Sequence, residues 1–332
     1  MNKVVWGVLG TARIGVVKVI PALQKSPWCD VRAIASRTEA SAREVADRLG
    51  IPRAYGSYQA LLADAEIEAI YNPLPNHLHV PLTLQAAAVG KHVLCEKPIA
   101  LNAVEAQRLR AIGNKVHVME AFMVRFHPQW LRARELVRSG ELGCVRSVQV
   151  MFSYFNDDPE NIRNRCEIGG GALYDIGCYP IVAGRFLFEA EPQRAIALID
   201  RDPRFGTDRT TSALLDFGQG RHLDFIVSTQ SAPYQRMQIN GTKKRVEILI
   251  PFNAPADETT TLLLDNGSKL GDASAIRETL AACDQYTLEG EAFSRAIRGD
   301  LVLPYGVDDA VRNMRVIDAL LRSEQSARWE RV

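Results

Sequence analysis

An apolar run, Val4 to Leu9, breaks at Gly10-Thr11-Ala12-Arg13-Ile14-Gly15 and resumes at helical spacing through Val17, Ile20 and Leu23. Strand, glycine turn and helix in that order are the opening of a dinucleotide site. Gly10 allows the tight turn, Ala12 leaves the backbone approachable by a pyrophosphate, and Gly15 lets helix and strand pack closely. The helix start, at Thr11, Arg13 and Ile14, offers free N–H groups and a positive dipole end to phosphates. A turn this poor in glycine also serves as a plain connection, so the rest of the chain decides its meaning.

Strands and helices alternate regularly over residues 1–121, which implies a parallel sheet with helices on both faces. The second strand, Val31 to Ala35, ends at Ser36-Arg37-Thr38, where an NAD site usually carries an acid for the ribose 2′-hydroxyl. Ser36 and Thr38 suit hydrogen bonds to a 2′-phosphate and Arg37 suits its charge, so NADP(H) is the expected cofactor. The plainer reading of Arg37 is a surface residue.

Two further strands end in unusual chemistry. Ile67 to Asn72 closes in Pro73-Leu74-Pro75-Asn76-His77-Leu78-His79, a rigid loop that places Leu74, Asn76 and His79 for cofactor contact. The alternative for His77 and His79 is capping of the helix Val80 to Val89. No metal site is expected, because no further ligand lies at the required spacing. His92 to Cys95 reads as a buried strand and ends in Glu96-Lys97-Pro98. Such charges are costly to bury unless paired or in use, and a lysine at a strand's carboxyl end sits where open α/β sheets hold ligands. The same residues also read as a strand end with two solvated charges.

Composition excludes several classes. The 332 residues exceed one compact core, so two domains are expected, 1–122 and 123–332. Lys+Arg 40 against Asp+Glu 39 leaves no nucleic-acid or membrane-surface footprint. No apolar run approaches membrane-spanning length, and the start has no signal-peptide layout. Six scattered cysteines without a Cys-x-x-Cys pair fit free thiols in a cytoplasmic protein.

After Phe122 the pattern turns strand-rich. Runs at 145–155, 195–199, 210–217, 222–229, 235–239, 246–250 and 259–264 predict a mostly antiparallel sheet, and two helices occupy the tail. One face of such a sheet is helix-covered and the other must be hidden, so a homodimer, or a dimer of dimers, through that sheet is expected. Within this half, Gly169-Gly170-Gly171 precedes a helix on which Asp175 and Tyr179 share one face. A tyrosine one turn from a carboxylate suits general acid/base work if a cation such as Lys97 lowers its pKa. An ordinary buried Tyr–Asp hydrogen bond is the alternative.

Taken together, Pro75 to His79, Ala88 to Pro98, Gly169 to Tyr179 and Glu291 to Ile297 resemble the glucose–fructose oxidoreductase, inositol dehydrogenase and rhizopine-catabolism (Gfo/Idh/MocA) family over essentially the whole length. The resemblance implies a Rossmann domain, α/β and doubly wound, followed by an α+β domain with an open, mostly antiparallel sheet. Tyr179 stands where many members carry histidine, and Met119 to Pro128 is similar to the branch containing glucose–fructose oxidoreductase, dimeric dihydrodiol dehydrogenase and NADP-dependent D-xylose dehydrogenases.

The resemblance implies an NADP(H)-dependent oxidoreductase acting on a CH–OH or carbonyl of a sugar or cyclic polyol, with oxidation of an aldose at C1 favoured. In this reading Tyr179 is the acid/base, Lys97 assists it, and Asp175 binds substrate hydroxyls or fixes Lys97. Glu96 positions Lys97 or the nicotinamide ribose, Arg125 lies near the nicotinamide, and Asn161 and Arg163 contact substrate. The rivals are a ketosugar reductase, a trans-dihydrodiol dehydrogenase, a redox-neutral glycoside cleavage and a non-catalytic cofactor sensor. Retention of Lys97 and Tyr179 favours an enzyme.

Overall fold

The computed structural model describes residues 2–303 and 305–332; Met1 and Pro304, which the expected domains include, lie outside the described residues. The chain forms two units. One comprises Met1–Met123 with Tyr286–Met314, the other Val124–Gln285 with Arg315–Val332.

The first unit carries six parallel strands: β1 (Val4–Leu9), β2 (Cys29–Ala35), β3 (Arg53–Tyr55), β4 (Ala69–Asn72), β5 (His92–Glu96) and β6 (Val118–Ala121). Their order is β3-β2-β1-β4-β5-β6. β4 is buried throughout, as expected of a strand covered on both faces. The helix Glu39–Leu49 shows how local chemistry sets an element: Thr38 caps it by accepting from the Ser41 amide, and Gly50 closes it at φ 65°. After β5 the chain is α-helical over Ala103–Gln107 and tightens to a 3₁₀-helix over Arg108–Ile112.

The helix Gln285–Ile297 lies almost wholly in the first unit, which the two-block division at 122 leaves out. Trp6 packs on Phe293 at 5.6 Å and its Nε1 donates to Ser294 Oγ at 3.2 Å. Arg298 forks onto Glu68, with N–O distances of 2.8 and 2.7 Å. A buried tryptophan N–H needs an acceptor, and this returning helix supplies it.

The second unit is built on nine strands: β7 (Val145–Phe155), β8 (Arg194–Arg201), β9 (Asp208–Asp216), β10 (His222–Ser228), β11 (Gln230–Gly241), β12 (Arg245–Ile248), β13 (Thr260–Asp265), β14 (Ile276–Leu280) and β15 (Glu330–Arg331). The order is β14-β13-β12-β11-β7-β10-β9-β8-β15, antiparallel except for β10 beside β7. Alternation assigns the faces. Val148, Val150 and Phe152 lie in register with Leu223, Phe225 and Val227, and all six are buried. Met151 and Ile226, which alternate with them, and Leu198 on β8 are exposed, the last at 78%. These three line an open groove of about 690 Å³ together with Tyr234 and Arg236.

Candidate active site

In the first unit the strand ends β1, β2, β4 and β5 carry the expected cofactor residues. Gly10 takes φ +85°, its amide donates to Ala35 O at 2.7 Å, and a Cβ there would stand 2.7 Å from Leu74 Cδ2. Leu74 is therefore the buried floor of the glycine turn. Thr11, Ala12, Arg13 and Ile14 come next, at least partly exposed, where the helix begins. Ser36 is buried and Arg37 exposed at the end of β2, while the Thr38 hydroxyl is taken up as a helix cap. Asn76 opens a short 3₁₀ turn, Asn76–Leu78.

His79 is corrected. Its ring is 1% exposed, with Nδ1 2.7 Å from Pro98 O and Nε2 2.6 Å from Leu74 O. Both ring nitrogens face protein carbonyls, and the neutral ring, with a single N–H, donates to one of the two, so His79 ties the two loops together from a buried position and offers no nitrogen to a cofactor. Burial pulls its pKa down to about 4, and the two carbonyls oppose that pull.

The turn Glu96-Lys97-Pro98 is pinned from several sides. The Lys97–Pro98 peptide is cis. Tyr71 donates its hydroxyl to Glu96 Oε1 at 2.7 Å, and Glu96 Oε2 accepts from the Lys97 amide at 3.3 Å. The buried Glu120 accepts the Ile99 amide at 2.7 Å, and His79 meets the Pro98 carbonyl between them. Tyr71 and Glu120 lie on the neighbouring strands β4 and β6, so the sheet itself supplies the clamps. Burial first, then the Glu96 charge, holds the Tyr71 phenol well above its usual range, keeping it a donor. Sequence reading passes over Tyr71, because a tyrosine inside an apolar strand carries no signal of its partner.

In the second unit the helix carrying Asp175 and Tyr179 opens as a π-helix, Leu173–Gly177, before continuing as Cys178–Phe188. π-turns inside helices recur at functional sites. Asp175 Oδ2 receives Tyr154 Oη at 2.5 Å and Arg163 Nε at 2.8 Å. Asn161 caps the short turn that holds Arg163, its Oδ1 accepting the Arg163 amide at 3.1 Å. Asp175 and Arg163, named separately in the sequence, are thus one ion pair. Tyr154, which the sequence does not single out, completes it.

Tyr179 is 6% exposed and set among aromatic rings, 6.0 Å from Phe152 and 5.4 Å from Phe252 between centroids. Phe152 and Tyr154 are two apart on β7, so one face of one strand meets both Tyr179 and Asp175. The shared helix face expected for those two residues is therefore seen from β7. Arg125 is 3% exposed in the 3₁₀ turn Met123–Phe126. Among the described residues no cluster of three or more His, Cys, Asp or Glu is arranged for a metal. Nor, among the described residues, is any helix long and apolar enough to cross a membrane.

A six-stranded parallel sheet in the order 3-2-1-4-5-6, with a glycine turn after β1 and a helix beginning beyond it, defines a dinucleotide-binding Rossmann unit. Residues 4–126 match the oxidoreductase family with an NAD-binding Rossmann fold, and residues 130–247 match the GFO/IDH/MocA C-terminal domain. The chain belongs to the Gfo/Idh/MocA oxidoreductase family. It is 48% identical to the uncharacterized oxidoreductase ORF334 of Rhizobium meliloti, over 100% of both chains. It is 41% identical to D-xylose 1-dehydrogenase (NADP(+)) 2 of Haloferax volcanii, over 97% of each. The crystal structure of KijD10, a 3-ketoreductase from Actinomadura kijaniata in complex with NADP and TDP-benzene, superposes with a TM-score of 0.90 at 29% identity, over 97% of this chain and 98% of that one.

Proposed function

We propose that this oxidoreductase transfers hydride between NADP(H) and a CH–OH or carbonyl group of a sugar or cyclic polyol, with aldose oxidation at C1 as the favoured direction. The observation that carries the reading is the cluster of Tyr154, Asp175 and Arg163 beside Tyr179. It presents hydrogen-bonding groups of both polarities on an aromatic background, which suits a small, many-hydroxyl substrate.

The choice of NADP rests on β2. Where NAD sites usually hold an acid, this chain has Ser36 and an exposed Arg37, whose guanidinium suits a phosphate. The names of the xylose dehydrogenase and of KijD10's bound cofactor agree with it. The glycine turn, with Leu74 beneath and the helix start beyond, fits the pyrophosphate.

The bound nicotinamide supplies or accepts the hydride. Tyr179 takes the hydroxyl proton in oxidation and returns it in reduction. Lys97, held by a turn fastened to β4 and β6, orients the reacting groups and favours the tyrosinate by its charge. Asp175 accepts from substrate hydroxyls, while Arg163 and Tyr154 keep its carboxylate aimed. Asn161 holds Arg163 in place.

We also propose that two copies associate through the open face of the second sheet. Met151, Ile226 and Leu198 make an apolar strip that a copy of itself would cover.

A screen of aldoses, ketosugars and cyclic diols by NADPH absorbance tests the activity. Turnover with at least one aldose that falls by orders of magnitude in Tyr179→Phe supports the reading. Turnover of every class only with NAD, or an unchanged pH–rate profile in Tyr179→Phe, overturns it.

A further inference from the structure

Several helices of this protein start on caps from their own sequence. Thr38 accepts from Ser41 N, Ser57 from Ala60 N and Asn102 from Glu105 N. The helix carrying Asp175 and Tyr179 is preceded by Gly169-Gly170-Gly171-Ala172, none of which has a side-chain oxygen.

The glycines are required by crowding. The Gly170 amide donates to Arg165 O and the Gly171 amide to Arg163 O, at 2.9 and 2.8 Å. A Cβ on Gly170 would stand 2.6 Å from Arg163 O. At Gly171, with φ +121°, it would stand 1.9 Å from Asp208 Oδ1. The loop holding Arg163 is thus stitched directly to the backbone ahead of the helix, and the residues that permit this have no side chain with which to cap it.

We propose that Asp208, at the start of β9, is a positioning residue that supplies the missing cap and so sets where Asp175 meets Arg163 and Tyr154. Its Oδ2 accepts the Leu173 amide at 2.6 Å and the Thr211 hydroxyl at 2.9 Å. Its Oδ1 fills the space where Gly171 lacks a side chain. The carboxyl is 4% exposed, and a buried acid is retained only where hydrogen bonds hold it. Burial raises its pKa to about 6, against the pull of the Leu173 amide and the Thr211 hydroxyl. Leu173 lies two residues before Asp175, so displacement of the helix start moves the Asp175 carboxylate directly.

The inference rests on the reading that Asp175 and Tyr179 face substrate, and the test separates the two. Amide hydrogen exchange over residues 156–179 and steady-state kinetics are compared for the full chain and three variants, with the turnover of Tyr179→Phe measured alongside. Asp208→Ala should raise exchange in that segment at least about tenfold and raise the substrate KM by a similar factor, the range of a lost helix cap. NADP affinity should stay within about twofold, because the first unit is untouched. Asp208→Asn keeps an oxygen acceptor at the Oδ2 position and should restore both quantities to within about threefold. Thr211→Val, which removes only the hydroxyl, should fall between them and carries the test together with Asp208→Asn if the alanine variant does not fold. Unchanged exchange over 169–179 in Asp208→Ala, or an asparagine variant as loose as the alanine one, overturns the cap. Loosened exchange together with full turnover in Tyr179→Phe instead sinks the substrate reading and leaves the cap standing.

Discussion

Tyr154 donates its hydroxyl to Asp175 Oδ2 across 2.5 Å, and neither residue is near the other in sequence. Burial, and then the Asp175 charge, hold the Tyr154 phenol well above its usual range, so it stays a donor throughout the working pH. Tyr154→Phe removes that donor and leaves Arg163 as the neighbour holding the same oxygen. The expected result is a roughly tenfold loss in kcat/KM, the scale of one hydrogen bond to a charged group. NADP affinity measured by fluorescence titration should be unaffected.

Lys97 sits on a turn whose backbone is secured by Glu96, Glu120 and His79. Lys97→Met preserves those bonds, because none of them uses the lysine head group. Circular dichroism and the melting curve should match the wild type, while turnover drops by roughly 10²–10⁴, the range for losing one charge-stabilising or proton-handling group. Turnover within about threefold of wild type would remove Lys97 from the chemistry.

Arg37 is exposed at the carboxyl end of β2, next to the buried Ser36. A phosphate–guanidinium pair lost there costs about 1.5–3 kcal/mol, or roughly 10–150-fold in affinity. Arg37→Ala should therefore raise the KM for NADP by about that factor and change the KM for NAD by less than about threefold. An equal loss for both cofactors refutes the 2′-phosphate assignment.

His79 makes the protein sensitive to acid. Its pKa in the folded chain is about 4, below the ordinary 6.5, because burial disfavours the cation. The folded state therefore binds fewer protons than the unfolded one between those values. Stability from His79 is present above pH 6.5 and is lost as pH falls toward 4, by up to about 3 kcal/mol. His92 and His127, also lowered to about 4 by burial, add slopes of the same sign. Urea midpoints should fall from pH 7 to pH 5, and His79→Asn should flatten that decline while lowering the midpoint at pH 7. An unchanged pH slope in the variant would show that the ring is not buried in its neutral form.

Leu198 is 78% exposed in the open groove of the second sheet, with Ile226 at 45%. A charge at each would be solvated in a monomer and buried without a partner in a face-to-face dimer. Light scattering should show a dimer or larger assembly for the wild type and a monomer for Leu198→Glu/Ile226→Glu. A wild-type monomer at micromolar concentration would refute the association.

Much of this protein is legible residue by residue. The strand-like run at 145–155 becomes β7, and that at 222–229 becomes β10. β3 and β14 escape that reading. β3 has only three residues, and Ile276–Leu280 is an edge strand with little buried surface, so neither shows an alternation strong enough to read. His79 illustrates the other kind of gap. A histidine in a proline-bounded loop at a strand end has the chemistry to touch a cofactor, and only its two carbonyl neighbours reveal that it is already engaged.

The sequence by itself determined the glycine turn, the Ser36-Arg37 pair, the Lys97 turn and the Asp175–Tyr179 helix, because each is written within a few consecutive residues, and the parallel sheet, because strand and helix patterns alternate over residues 1–121. Short-range sterics and periodicity are local, and a single stretch displays them. Tertiary structure alone decided that Tyr154 and Arg163 share Asp175, that Tyr71 and Glu120 hold the Lys97 turn, and that Asp208 caps a helix whose own start is glycine. Those partners lie between 12 and 35 residues apart along the chain. A buried polar group must find a partner, but the chain's path through space settles which one, and no local pattern encodes that path.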